Sequence, residues 1–180
     1  MKIDTWIKAG YDLLATEGSE GVKIERLARI LQLNKSGFYH YFNTTDSFFR
    51  CLLNYHVRMA DVVAAALSHC NTIDDVLLVV VRYKMFFLIE SQLLGKNRIP
   101  HFQFSAQEAE KIIDEELVRL WDRAGDIRYE RETVMAYLNI IRHFFYVRIT
   151  ADEICYDFLL NLATETRCML EKLNSDRHVH

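Results

Sequence analysis

Very little in this chain can stop a helix. Pro100 is its single proline, and six glycines punctuate 180 residues. These are the two residue types that most strongly interrupt helical runs. The Asn-Gly and Asp-Gly dipeptides that close β-hairpins do not occur. Apolar residues recur instead at three- and four-residue spacing along most of the length, the mark of amphipathic helices. The chain is predicted to be all-α. With 51% hydrophobic and 26% charged residues it has the material for a packed core and does not read as disordered.

Several functions are disfavoured at once. Cys51, Cys70, Cys155 and Cys168 show no CxxC spacing, so buried free thiols are expected rather than disulfides or a zinc site. The apolar run Val76–Val81 is too short to span a bilayer before Arg82 and Lys84 interrupt it. No leader pattern precedes the first amphipathic run, and a cytoplasmic protein is expected. No phosphate loop or nucleophile elbow is present, and Asp114-Glu115-Glu116 reads as a solvated helix face. No enzyme activity, cofactor or metal is expected.

One segment stands out, Leu33-Asn34-Lys35-Ser36-Gly37-Phe38-Tyr39-His40-Tyr41-Phe42. Asn34 is a suitable N-cap, placing Lys35, Ser36 and Gly37 in an exposed first turn. Phe38, Tyr41 and Phe42 share the opposite face as an aromatic anchor, leaving Tyr39 and His40 at the rim. A donor-rich turn on an aromatic backing suits a helix presented to DNA. Lys35 would reach a phosphate or guanine and Ser36 a base edge, while Gly37 would admit close approach. Net charge offers thin support: the chain carries −3, and residues 1–50 hold 7 Lys/Arg against 6 Asp/Glu.

The flanking residues complete a motif. Trp6, Ile7, Gly10, Leu13 and Leu14 mark a first helix over Asp4–Glu17 that ends at Gly18. Gly10 on the apolar stripe predicts close approach by another helix. Val22–Leu31 forms a second helix with Ile24, Leu27, Ala28 and Leu31 inward, and Gln32-Leu33-Asn34 is the turn before the third. Two short helices joined by a tight turn make a helix-turn-helix.

Trp6 through Phe48 resembles the DNA-binding domain of the tetracycline-repressor (TetR) family, on Ile24-Glu25-Arg26-Leu27-Ala28 and above all Lys35–Phe42. The resemblance covers about the first quarter of the chain. It implies a three-helix head (1–46) joined by a long helix to a helical dimerisation and effector-binding body (47–174), with a flexible tail (175–180). It departs from the family pattern at Gln32 in the turn, where glycine is usual, at Lys23 in place of a capping Thr or Ser, and at Thr45, where a lysine is common. DNA candidates are Lys23, Asn34, Lys35, Ser36, Gly37, Tyr39, His40, Thr44 and Thr45. With the Thr45 cation missing, weaker salt dependence than usual is expected, each phosphate contact being worth about 0.9 in the slope.

The remaining helices are read from periodicity. Thr44 caps a long helix to about His69, and Ile73 to about Ser91 forms a helix apolar on every side, the spine of the body. Gln92–Phe104 is irregular, and Ser105 with Glu108 opens the next helix as a capping box, which breaks near Gly125. Two long helices follow, Arg131–Ile149 and Ala151–Leu173, before a polar tail from Asn174. By the family's pattern the last two supply a four-helix dimer interface, through Leu138, Ile141, Phe145, Phe158, Leu162 and Met169. Polar groups on apolar helices, at Arg82, Tyr83, Lys84, Arg142, His143, Tyr146 and Arg148, suggest an effector pocket completed by Met59, Phe86, His101, Phe102, Phe104 and Trp121. The cations could equally reach solvent along their stems. An inward, unpaired Arg82 or Arg142 would favour an anionic effector.

The function so implied is a homodimeric regulator on a palindromic operator in double-stranded DNA, a repressor released by a small molecule. Alternatives are a DNA-binding dimer of this fold without an effector, and a helical ligand-binding dimer or enzyme that has lost DNA binding.

Overall fold

The computed structural model describes residues 2–95, 100–124 and 130–177. The described residues form α1 (Lys2–Glu17), a 3-10 turn at Ser19–Gly21, α2 (Ile24–Leu31), α3 (Lys35–Phe42), α4 (Thr45–Leu67), α5 (Ile73–Arg82), α6 (Lys84–Gly95), α7 (Pro100–Ala124), α8 (Arg131–Arg148) and α9 (Tyr156–Arg177), with no strand among them.

The first three helices are held by aromatic packing. Phe38 is fully buried against Trp6 of α1, with ring centroids 5.4 Å apart, and against Phe48 of α4 at 5.1 Å. Phe42 meets Phe48 at 4.8 Å. Edge-on and tilted geometries of this kind add to the burial of large apolar surfaces. Gly10 is the point of closest approach: a Cβ there would lie 2.5 Å from Cζ of Phe48. The glycine therefore belongs to the α1–α4 contact, as its place on the stripe predicts. Gly18 ends α1 at φ 72°, with its N–H donating to the Leu14 carbonyl. An exposed bidentate pair of Arg26 with Glu17 ties α1 to α2.

Beyond the head, α4 lies along α7, the most extensive helix pair, while α6 packs on α1, α7 and α8. One cluster of buried side chains runs from Trp6 through Phe48 and Phe86 to Ile154. Thr44 does cap α4, accepting from the Ser47 N–H at 3.1 Å. Thr72 and Asp75 close a reciprocal capping box at the start of α5, and hydrogen bonds from the Asn71 N–H and then from Thr72 hold the Asp75 carboxyl below its ordinary range.

Several expectations need correction. Asp114 is buried rather than part of a solvated face, and of the four thiols expected to be buried only Cys70 is, while Cys155 and Cys168 are exposed. The helix over Ile73–Ser91 is divided at Tyr83, where the backbone leaves helical geometry. Its Val76–Val81 centre is not buried all round: Leu77 is buried, but Leu78 is 56% exposed. The buried spine is Phe86–Glu90 of α6, which neighbours cover on several sides, whereas the outer face of α5 is open. An apolar run reveals low polarity and says nothing about which faces are covered. Next, the helix expected from Ser105 starts at Pro100, a residue suited to a first helical position. Ser105 is buried inside α7 rather than capping it. At the C-terminal end, α9 begins at Tyr156 instead of Ala151, after a turn that buries Ile154. Finally, α9 continues to Arg177, so the tail expected from Asn174 is helical to that residue. Gly125 lies outside the described residues.

Candidate nucleic-acid interface and ligand cavity

The polar edge of α3 faces outward because its aromatic face is consumed by the core. Phe38 and Phe42 are buried and Tyr41 is half-buried, while Lys35, Ser36, Tyr39 and His40 are exposed. The helix leaves them no other choice, since positions three and four apart share a face. Gly37 is informative: a Cβ there would meet nothing within 4 Å. Packing does not require the glycine, so the room it leaves is on the outside. Lys35 donates to Glu25 of α2 at 2.7 Å across the exposed surface, and this contact holds the Glu25 carboxyl below its ordinary range. Glu25 thus restrains the one cation of the turn, a partnership that sequence spacing alone does not expose.

Around this edge, Lys23 is exposed at the N-cap of α2 and makes no capping bond. Asn34 occupies the N-cap of α3, but its side chain does not cap either. That corrects the expected role and leaves an exposed amide beside Lys35. Thr44 is exposed and Thr45 half-buried at the start of α4. Gln32 adopts the left-handed conformation, φ 53° and ψ 38°, so the turn keeps the geometry that glycine would adopt more easily.

The interior holds a second feature, a cavity of about 660 Å³. Aliphatic and aromatic residues of α5, α7, α8 and α9 line most of it, and Leu67 brings in the C-terminal end of α4. Polar groups on the wall include Asn71, Thr72, Arg142, Tyr146 and Thr166. Burial pushes the Tyr146 phenol well above its ordinary value, and the Glu90 charge pushes it further.

This location corrects the expected pocket. Of the residues expected there, Trp121, Arg142 and Tyr146 line the large cavity, with Trp121 stacked on Tyr137 at 5.9 Å. Met59, Arg82, Tyr83 and Phe86 border a separate cavity of about 250 Å³ beside Lys8 and Tyr11 of α1. Phe102 is buried against Phe49, His143 is exposed on α8, and the side chain of His101 lies outside the described residues. Most of the residues expected at a dimer contact face inward within the single chain. Leu138, Ile141, Phe145 and Leu162 line the cavity of their own chain, and Phe158 packs against its core. Of that set only Met169 is exposed, joined on the outer faces of α8 and α9 by Ile140, Val147 and Leu160. Both inward stripes satisfy helical periodicity, and the pattern cannot say whether the covering surface belongs to the same chain.

A buried polar chain connects three helices between these two features. The Tyr11 hydroxyl of α1 donates to Nδ1 of His56 at 2.9 Å, and His56 Nε2–H donates to Oε1 of Glu90 at 2.5 Å. His56 and Glu90 are 0% and 1% exposed, and Phe86 stacks on the imidazole at 4.6 Å. Burial pushes the Tyr11 phenol up. Glu90 Oε2 has no hydrogen-bond partner. His56 is the middle residue of α4. Sequence reading passed over it because no metal-ligand spacing accompanied it; its signal was a lone polar residue among Leu52, Leu53 and Ala60. Among the described residues no cluster of three or more His, Cys, Asp or Glu side chains could hold a metal ion. No described helix is long and apolar enough to cross a membrane.

No protein-family sequence model and no curated protein sequence matches the chain. Its structure is similar to that of a chain from Rhodococcus sp. assigned to the TetR family of transcriptional regulators, with a TM-score of 0.61. The alignment covers 94% of this chain and 96% of that one at 12% sequence identity. A helix-turn-helix backed by Trp6 and Phe48, a central α4 and a hollow helical body thus make up the fold of a TetR-family regulator.

Proposed function

We propose that the protein is a homodimeric, sequence-specific DNA-binding transcription regulator of the TetR type, a repressor whose operator affinity falls when a small molecule enters the body. The outward edge of α3 carries this reading: Lys35, Ser36 and Tyr39 surround a glycine that the fold itself does not need. The shared fold supports it. Among the described residues, Ile140, Val147, Leu160 and Met169 are the large apolar side chains that α8 and α9 leave exposed, and they join the inward stripes as candidates for the dimer contact. Two recognition helices about 34–36 Å apart would read an inverted repeat. No catalysis and a cytoplasmic location go with this role.

The mechanism follows α4. Its 23 residues span about 35 Å at 1.5 Å per residue, with Phe48 near one end under the recognition helix and Leu67 at the other beside the cavity. A ligand that displaces Leu67 would tilt this rod about the His56–Glu90 contact and move the head. A coupling of about 1–3 kcal/mol would reduce operator affinity between several-fold and a hundredfold.

The test is selection of bound duplexes from genomic DNA by the full chain. The expected result is enrichment of an inverted repeat with half-sites about one helical turn apart. Recovery without sequence enrichment would leave a helical ligand-binding protein as the better description. A companion variant isolates the edge of α3. Gly37→Ala should leave stability unchanged or raise it by up to about 1 kcal/mol, as alanine is the better helix former, yet weaken binding to the selected duplex. Thermal melts beside duplex titrations would show both effects.

A further inference from the structure

If the large cavity is the effector site, its charge balance restricts what can enter. Arg142 is the one charged residue on the described wall. Its guanidinium is already committed: Nη1 donates to Glu110 at 2.6 Å and to Asn139 at 2.7 Å, and Nη2 donates to Asp114. Arg142, Glu110 and Asp114 are all shielded from the outside, with side chains 13%, 24% and 9% exposed.

Two carboxylates thus flank the one guanidinium. Arg131, exposed on the first turn of α8, is the other cation that acts on Asp114. Arg142 is paired with both carboxylates, so this cluster offers an entering anion no free cation. A carboxylate entering here would lose its water without gaining a free cation, and like charges placed together at a dry site are costly. A neutral ligand avoids both penalties. A protonated amine would be attracted.

We propose that the ligand of this cavity is a predominantly apolar molecule bearing a neutral hydrogen-bonding group or an amine, and that anionic amphiphiles are excluded by the Glu110–Arg142–Asp114 cluster. The inference rests on the effector reading of the cavity and deepens it. It replaces the anionic ligand that an unpaired Arg142 would have implied.

Isothermal titration with three matched probes tests it: para-hexylbenzamide, para-hexylbenzylamine and para-hexylbenzoate at neutral pH. The amide and amine should bind the full-length protein at least about tenfold more tightly than the benzoate. The double variant Glu110→Gln/Asp114→Asn leaves Arg142 without its countercharges and should gain at least about tenfold for the benzoate. Benzoate binding to the wild type as tightly as the amide would overturn the proposal while leaving the cavity a ligand site. A folded double variant with no gain for benzoate would also overturn it. Should the variant fail to fold, the wild-type ranking still decides. Failure of all three probes to bind the wild type would remove the effector reading along with it.

Discussion

Replacing His56 with alanine is expected to destabilise the folded chain by about 3–5 kcal/mol, because it strands the Glu90 carboxylate in the core. His56 supplies the one hydrogen bond that Glu90 makes among the described residues, and Glu90 Oε2 already has none. With His56 gone, neither oxygen of a 1%-exposed carboxylate is satisfied. The converse substitution, Glu90→Leu, should cost less. It leaves the Nε2–H of His56 unpaired, a penalty of about 1–3 kcal/mol, and removes the orphaned oxygen at the same time. The asymmetry distinguishes this account from a packing account, in which losing the stacked imidazole beside Phe86 and losing the Glu90 chain would cost similar amounts. Urea denaturation of both variants measures it. In a chain of this size the His56→Ala loss corresponds to a fall in Tm of roughly 10 °C. Equal costs, or a milder His56→Ala, would show that the Tyr11–His56–Glu90 chain is not what holds α4 between α1 and α6.

The second large effect concerns DNA. Lys35→Ala combined with Tyr39→Ala should abolish specific binding to the selected duplex while leaving the fold intact. Neither residue supports the core: the Lys35 side chain is 50% exposed and Tyr39 is 48% exposed. Surface changes of this kind usually alter stability by less than about 0.5 kcal/mol. Each well-placed base contact is worth about 1–3 kcal/mol, and a dimer loses it twice. The expected loss is about 2–6 kcal/mol, or from roughly thirtyfold to ten-thousandfold. The salt dependence should fall as well, by about 0.9 in slope for each phosphate contact removed. Duplex titrations at several salt concentrations, beside melts of the same samples, separate the two readouts. Undiminished affinity in a folded dimer would sink the recognition-helix assignment.

How much of this was legible beforehand differs between the two ends of the chain. In the head, local sequence nearly suffices. Gly10, Gly18, the Phe38/Phe42 pair and Thr44 each perform the task their spacing implies. Contacts there join neighbouring short helices, so periodicity and geometry agree. In the body they diverge. Leu138 and Leu162, on stripes that read equally as an interface, line a cavity within the chain, and Leu78 sits in the most apolar run yet lies exposed.

The reason is physical. A sequence by itself determines which face of each helix avoids water and where helices cannot continue, because those depend on residues within a few turns. From that alone follow the all-helical class, the helix-turn-helix and the outward edge of α3 in this protein. Which apolar face meets which neighbour depends on contacts between residues far apart in the chain, and only the tertiary structure decided it. It hollowed the body between α5, α7, α8 and α9. It joined Arg142 to Glu110 and Asp114 across helices, and it buried His56 and Glu90 together although 34 positions separate them.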